Sequence, residues 1–244
     1  MAPHRLDESI RAILFDLDGT LLQIDLDSYM KEYFALLAPK FAHACPPQRF
    51  VEQLTASVMA MVNNTDPHKT NMDAFWEDFA PKFSAVPEDW RLVFERFYAD
   101  EFPRLRSHSR RDPLAAEVVQ AAVHRGFQVV LATNAVYPRV AIVERLVWAG
   151  ISPDLFDLIT SYEEMHFCKP NPEYYREICS LIGREPRECV MVGNDVEEDL
   201  AASTTGMRTF LVNTAVRNRG NTPYLSDYEG SQGDLLDLIR SRAP

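Results

Sequence analysis

Short runs of apolar side chains recur along the chain, each ending abruptly in polar or glycine residues. The first is Ala12 to Phe15, closed by Asp-Leu-Asp-Gly-Thr at residues 16–20. Runs this short, bounded by turn residues, predict strands buried on both faces, as in a parallel sheet. After that strand the pattern changes, and apolar positions recur every three or four residues with no strand-like run. This periodicity predicts helices over residues 28–44, 47–63, 72–83 and 87–102, separated by proline- or asparagine-containing breaks. Phe75, Trp76, Phe79 and Phe83 fall at helical spacing and read as packing core.

From Asp112 onward, apolar runs alternate with amphipathic segments. Helices are expected over 113–125, 139–149, 172–182, 197–205 and about 234–240, and strands over 127–132, 156–160, 189–192 and 209–212. Strands alternating with helices specify right-handed βαβ units and a parallel sheet. The expected architecture is a doubly wound, Rossmann-like α/β core, residues 1–22 and 107–244, with an all-helical cap domain, residues 23–106, inserted after the first strand.

Composition narrows the class of partner. The chain has 244 residues, 46% hydrophobic and 25% charged, enough for one sizeable core with a smaller accessory unit. A net charge of −11 argues against a nucleic-acid partner. The densest basic stretch, Arg104, Arg106, Arg110 and Arg111, reads as a solvated linker. Cys45, Cys168, Cys179 and Cys189 are far apart in sequence, which suggests reduced thiols rather than a zinc site or disulfide framework. The N-terminal MAPHRLDESIR lacks an apolar core and no segment carries a membrane-length apolar run, so a cytoplasmic protein without a membrane partner is expected. Nothing in the pattern specifies an oligomeric state.

Candidate chemistry gathers where the apolar runs stop. Residues two apart on a strand project the same way, so Asp16 and Asp18 can face one spot. Such a pair repels unless a cation or proton joins it; the alternative is an ordinary Asp-Gly turn with Asp16 capping the next helix. In open α/β sheets ligands bind outside the carboxyl ends of the strands. There the later runs end in Thr133 and Asn134, in Lys169 of CKPNP, and in Asp195, with Asp199 one turn further. A carboxylate nucleophile, carboxylates for Mg²⁺, and lysine, hydroxyl and amide donors are the components of phosphoryl transfer.

DLDGT, ATN, KPNP and GNDVEED, in this order, resemble the four motifs of the haloacid dehalogenase-like superfamily. The resemblance implies that Asp16 is the nucleophile and a Mg²⁺ ligand. It implies that Asp18 is the general acid and then base, with its backbone carbonyl on the metal. Thr133 and Asn134 would bind the phosphoryl group, Lys169 would neutralise it and orient Asp16, and Asp195 would complete the metal site. To donate a proton near neutrality, Asp18 would need carboxylate neighbours that raise it above the usual value of about 3.9.

The last motif departs from the common Gly-Asp by reading Gly193-Asn194. A register with acids four apart selects Asp195 and Asp199; the alternative puts Asn194 at the metal. Asp199 also reads as a helix N-terminal acid, and Glu197 and Glu198 as solvated first-turn acids. Members in which the second acid is replaced cleave carbon–halogen bonds, so the intact Asp18 implies hydrolysis of a small phosphorylated metabolite. A phosphomutase and a non-catalytic phosphate-binding regulatory protein are the alternatives. Loop 63–71 is expected to present His68 or Lys69 to an anionic substrate, and segments 22–25 and 105–111 to act as hinges.

Overall fold

The computed structural model describes residues 5–83 and 89–242, so residues 1–4 and the expected helix start at 87 lie outside the described residues. β1 (Ala12–Phe15) passes through a turn into β2 (Leu22–Ile24) and then a helical insert. The insert comprises α1 (Leu26–Leu37), α2 (Pro47–Val62), α3 (Asn71–Phe79) and α4 (Trp90–Asp100), with 3₁₀ segments at Ala38–Phe41, Ala80–Phe83 and Phe102–His108. The chain returns through β3 (Ser109–Arg111), α5 (Pro113–His124), β4 (Gln128–Leu131), α6 (Arg139–Ala149), β5 (Leu158–Ile159) and α7 (Pro172–Ile182). It ends in β6 (Cys189–Gly193), β7 (Arg208–Val212), β8 (Tyr228–Gly230) and α8 (Gln232–Arg240).

Six of the strands form one parallel sheet in the order β5-β4-β1-β6-β7-β8, the Rossmann-like arrangement the alternating runs imply. β1 is flanked on both sides, with Ala12 level with Gln128 of β4 and with Cys189 of β6. Successive residues therefore point into two cores. Ile13, Phe15, Val129 and Val192 pack in one. Leu14, Val130 and Met191 face the other, where α7 contributes Tyr174, Tyr175 and Ile178. Burial on both faces explains why the strands read as continuous apolar runs.

The insert is held by stacked rings. Phe41 lies 4.1 Å from Phe50 and 4.5 Å from Trp90, with Phe79 edge-on at 6.0 Å. β2 and β3 pair antiparallel, Leu22 opposite Arg111 and Ile24 opposite Ser109, so the two connections to the insert lie side by side. The insert also docks on the core: the Asn71 N–H donates to Met165 O at 2.7 Å, and its buried side-chain amide donates to Ala135 O and Phe167 O at 3.2 and 3.1 Å.

Several expectations are corrected. The helix expected over 28–44 ends at Leu37 and that over 72–83 ends at Phe79. Pro39 and Pro81 follow these ends, and proline has no N–H to continue an α-helical ladder. The helix expected over 197–205 is only a 3₁₀ segment, Leu200–Thr205. Its first turn is displaced because the preceding backbone pairs with Arg217: Val196 N–H donates to Arg217 O and Arg217 N–H to Asn194 O, each at 2.8 Å. The cysteines are free, yet Cys179 and Cys189 bring their sulfurs to 3.8 Å inside the core. Among the described residues no helix is long and apolar enough to cross a membrane.

Phe41→Ala removes a fully buried ring from the insert, and urea denaturation is expected to show a stability loss of about 3–5 kcal/mol. A loss under about 1 kcal/mol would show that the rings do not form a close-packed core.

Candidate active site

Asp16 continues β1, its N–H donating to Val192 O at 2.8 Å, and so emerges at the carboxyl edge between β4 and β6. Gly19 turns the chain back with φ +87°, and a Cβ there would lie 2.4 Å from the Asn194 amide nitrogen. Both the dihedral and the approach demand glycine. Gly193, at the end of β6, is equally constrained: a Cβ would lie 2.0 Å from Asp199 Oδ2.

That clearance lets Asp199 reach inward. Lys169 is 1% exposed, and its Nζ lies 2.9 Å from Asp16 Oδ1 and 2.6 Å from Asp199 Oδ1. The other Asp199 oxygen accepts the Asp195 N–H at 2.9 Å. Asp199 is therefore neither a solvated helix acid nor a free metal ligand; it is the second carboxylate on Lys169. Asn134 fixes the lysine backbone, its Oδ1 accepting the Lys169 N–H at 3.2 Å while its Nδ2 donates to Glu198 Oε2 at 3.2 Å. Thr133 is buried beside it, its carbonyl accepting from Thr160 Oγ1 at 2.8 Å and the Tyr174 hydroxyl at 2.7 Å. The Lys169–Pro170 peptide is cis.

Burial pushes the Asp16 carboxyl up to about 8; Lys169 opposes that rise, and Asp199 and Asp18 add to it. For Lys169, burial disfavours the charged form, but Asp16 and Asp199 outweigh it and hold the ammonium protonated well above its usual range.

Asp18 has a partner that the motif reading did not supply. Its Oδ2 accepts from Arg145 Nη1 of α6, and the Arg145 guanidinium lies over the Tyr137 ring, 4.4 Å from the centroid. Arg145 is fully buried. The neighbour expected to be carboxylate thus includes a cation, while Asp18 Oδ1 is buried without a hydrogen-bond partner. A signal was present: Arg145 shares the apolar face of α6 with Ala141, Ile142 and Trp148, where a charge needs a partner.

In the last motif, Asp195 Oδ1 accepts N–H groups from Glu197 and Glu198 at 3.0 and 2.9 Å, and Arg219 binds both its oxygens at 3.1 and 3.0 Å. Burial pushes Asp195 up to about 6, against the lowering effect of the Glu198 N–H. Asn194 accepts from Thr20 Oγ1 at 3.2 Å and donates to Ala215 O at 2.7 Å. Both residues line a cleft of about 520 Å³ with Asp16, Asp18, Thr133 and Asn134. Lys69 and His68 do not line it; Lys69 pairs with Glu77 at 2.6 Å on the surface.

The donors around this cleft are carboxylate, amide and carbonyl oxygens, with no thiolate or imidazole among the lining residues. That donor set fits a hard cation such as Mg²⁺. Among the described residues no three carboxylate, imidazole or thiolate side chains converge in metal-binding geometry. A cation here would therefore also need backbone carbonyl and water ligands.

An aspartate at the end of the central strand, a buried lysine beside it and a helical insert together define a class of α/β hydrolase. The chain belongs to the haloacid dehalogenase-like hydrolase family, whose profile matches residues 10–203. It is 22% identical to the pyrophosphatase PpaX of Halalkalibacterium halodurans, over 96% of this chain and 99% of that one. It is 28% identical to a plasmid-borne phosphoglycolate phosphatase of Cupriavidus necator, over 82% of this chain and 80% of the relative. The fold is shared with a phosphatase of the family from Thermococcus onnurineus, at TM-score 0.60 and 20% identity, covering 94% of this chain and 98% of that one.

Arg145→Met is expected to lower kcat/KM, which reports transfer to Asp16, at least about tenfold more for glycerol 3-phosphate than for p-nitrophenyl phosphate, whose leaving group departs without a proton. Equal losses of kcat/KM on both esters would show that Arg145 does not assist proton donation by Asp18.

Proposed function

We propose that the protein is a Mg²⁺-dependent phosphatase that hydrolyses a small phosphorylated metabolite through an aspartyl-phosphate on Asp16. The observation that carries this reading is the Lys169 ammonium shared by Asp16 and Asp199 at the carboxyl edge of the sheet. A lysine fixed on one oxygen of a carboxylate directs the other oxygen toward an incoming electrophile.

In the first step an Asp16 oxygen attacks phosphorus. The Asp16 O–P bond forms as the ester P–O bond breaks, and Asp18, which takes up a proton from solvent as the anionic phosphoryl group arrives beside it, gives that proton to the departing oxygen. Thr133, with Asn134 beside it, holds the phosphoryl oxygens in line. In the second step water attacks the same phosphorus, yields a proton to Asp18, and inorganic phosphate leaves as the Asp16 O–P bond breaks. Lys169 retains its contact with Asp16 throughout, which keeps the carboxylate oriented. Mg²⁺, held by the Asp16 carboxylate, the Asp18 carbonyl and Asp195, would neutralise charge on the phosphoryl oxygens.

For the third metal position, the bonds of Asp195 to two backbone N–H groups and Arg219 favour a second reading, with Asn194 as the ligand. Residues 1–22 and 107–244 act as the catalytic core in this reading. Residues 23–106 act as a cap over the cleft, with the β2–β3 ribbon as its hinge. The pyrophosphate and phosphoglycolate named for the relatives are small phosphorylated compounds of the class proposed here.

Wild type is expected to hydrolyse p-nitrophenyl phosphate only with Mg²⁺, and Asp16→Asn to abolish turnover. Activity surviving either EDTA or that substitution would overturn the mechanism. Added Mg²⁺ is also expected to raise the thermal midpoint, since it relieves repulsion among the acids. Asp195→Asn is expected to raise the Mg²⁺ concentration for half-maximal rate by about tenfold or more. If instead Asn194→Asp lowers it and Asp195→Asn does not move it, the ligand is residue 194.

A further inference from the structure

A second cavity, of about 290 Å³, lies between the insert and the core. All four insert helices line it, together with the segment after β4 and Tyr162 after β5. Among the described residues, no lysine, arginine, histidine, aspartate or glutamate lines it. Its walls include Phe34, Phe75, Trp76, Phe94 and Tyr98. The Tyr33 and Tyr98 hydroxyls satisfy one another at 3.0 Å. Burial, with neighbouring phenols, raises both above their usual range, so both stay neutral. Close-packed interiors tolerate few voids of this size, and small-molecule pockets are concave, mostly apolar and a few hundred Å³ in volume.

Two segments run without interruption from the catalytic cleft to this chamber. Leu26 and Asp27 of α1 line the cleft, and Met30 and Tyr33, about a turn further along, line the chamber. Thr133 and Asn134 line the cleft, and Val136 and Tyr137 line the chamber. Met30 and Tyr137 meet at the partition, hydroxyl to sulfur at 3.8 Å. Tyr137 also underlies Arg145, the residue that holds Asp18. The group that protonates the departing oxygen is thus one side chain removed from the chamber wall.

We propose that the Met30–Tyr137 contact parts to let this chamber receive the leaving group of the substrate, and that the leaving group is uncharged and apolar, an aryl or branched alkyl alcohol. This deepens the phosphatase reading and rests on it. A leaving group with its own carboxylate or phosphate finds no cation in the chamber, and losing its hydration there is unfavourable. An aromatic ring gains both burial and ring contacts.

The test compares benzyl phosphate with phosphoglycolate, whose leaving group carries a carboxylate, in wild type, Met59→Trp and Thr55→Glu. Both residues line the chamber from its exposed rim on α2, so neither substitution burdens the fold. One narrows the mouth of the chamber and the other places a charge at its rim. Wild type is expected to show a KM for benzyl phosphate about tenfold or more below that for phosphoglycolate, and each variant to raise the first KM about tenfold more than the second. Equal KM values in wild type, or variants that shift both substrates alike, would overturn the chamber assignment and leave the phosphatase reading standing. If wild type turns over neither ester, the p-nitrophenyl phosphate assay decides the phosphatase reading, and benzyl alcohol decides the chamber alone. A rise in thermal midpoint for wild type that is lost in Met59→Trp supports it, and no rise in wild type overturns it.

Discussion

One ammonium group, Lys169 Nζ, holds the catalytic edge together. It is buried between Asp16 on the central strand and Asp199 beyond β6, so a single cation ties three chain segments at one point. Charges out of water are costly unless paired and fully hydrogen-bonded. Asp199 meets that requirement through Lys169 and the Asp195 N–H. Around Lys169 the two carboxylates outnumber the one ammonium. Burial and the neighbouring acids make Asp16 reluctant to ionise, with only Lys169 opposing them. In the proposed reading this balance favours binding a cation together with an anionic phosphoryl group.

The neighbouring sequence serves that arrangement. Gly193 has no Cβ because Asp199 occupies the space, and Gly19 has none because Asn194 does. Asn134, placed by motif order beside the phosphoryl group, also has a structural task in clamping the Lys169 peptide. The parallel sheet makes this possible: β1 and β6 are adjacent, so their following residues converge although about 180 positions separate them in the chain.

What the sequence made legible follows from this economy. Strands buried on both faces are apolar throughout, and their polar ends stand out; Asp16, Asp18, Thr133 and Asn134 are visible for that reason, whereas Lys169, ten residues beyond β5, is visible only through the order of the motifs. α6 and α7 were readable to their ends because their apolar periods begin beside prolines and stop at glycines. Other features depend on contacts that no local pattern encodes. β8 is three residues long with an exposed Glu229, and β2 and β3 exist only by pairing with each other. The 3₁₀ turn at Leu200–Thr205 reflects a bridge to Arg217, distant in sequence. Asp199 and Arg145 were present as letters, but their roles became visible only when Lys169 and Asp18 were placed opposite them.

The polarity of the two cavities separates chemistry from selection. The catalytic cleft is rimmed on the insert side by Asp25 and Asp27 and on the core side by Glu198. These acids suit cation recruitment, and Arg217 is the cation among the described lining residues. Beyond the Met30–Tyr137 partition the walls carry no formal charge at all. In the reading proposed above, a phosphate monoester with one anionic end and one neutral end would match that division, with fixed charges from the core for the end that reacts and rings from the insert for the end that leaves. The insert meets the core at Asn71 and at the β2–β3 ribbon, both on the border of the reacting edge. Changes in its aromatic packing can therefore alter which alcohol is accepted without displacing Asp16, Lys169 or Asp199, all of which belong to the sheet and its following loops.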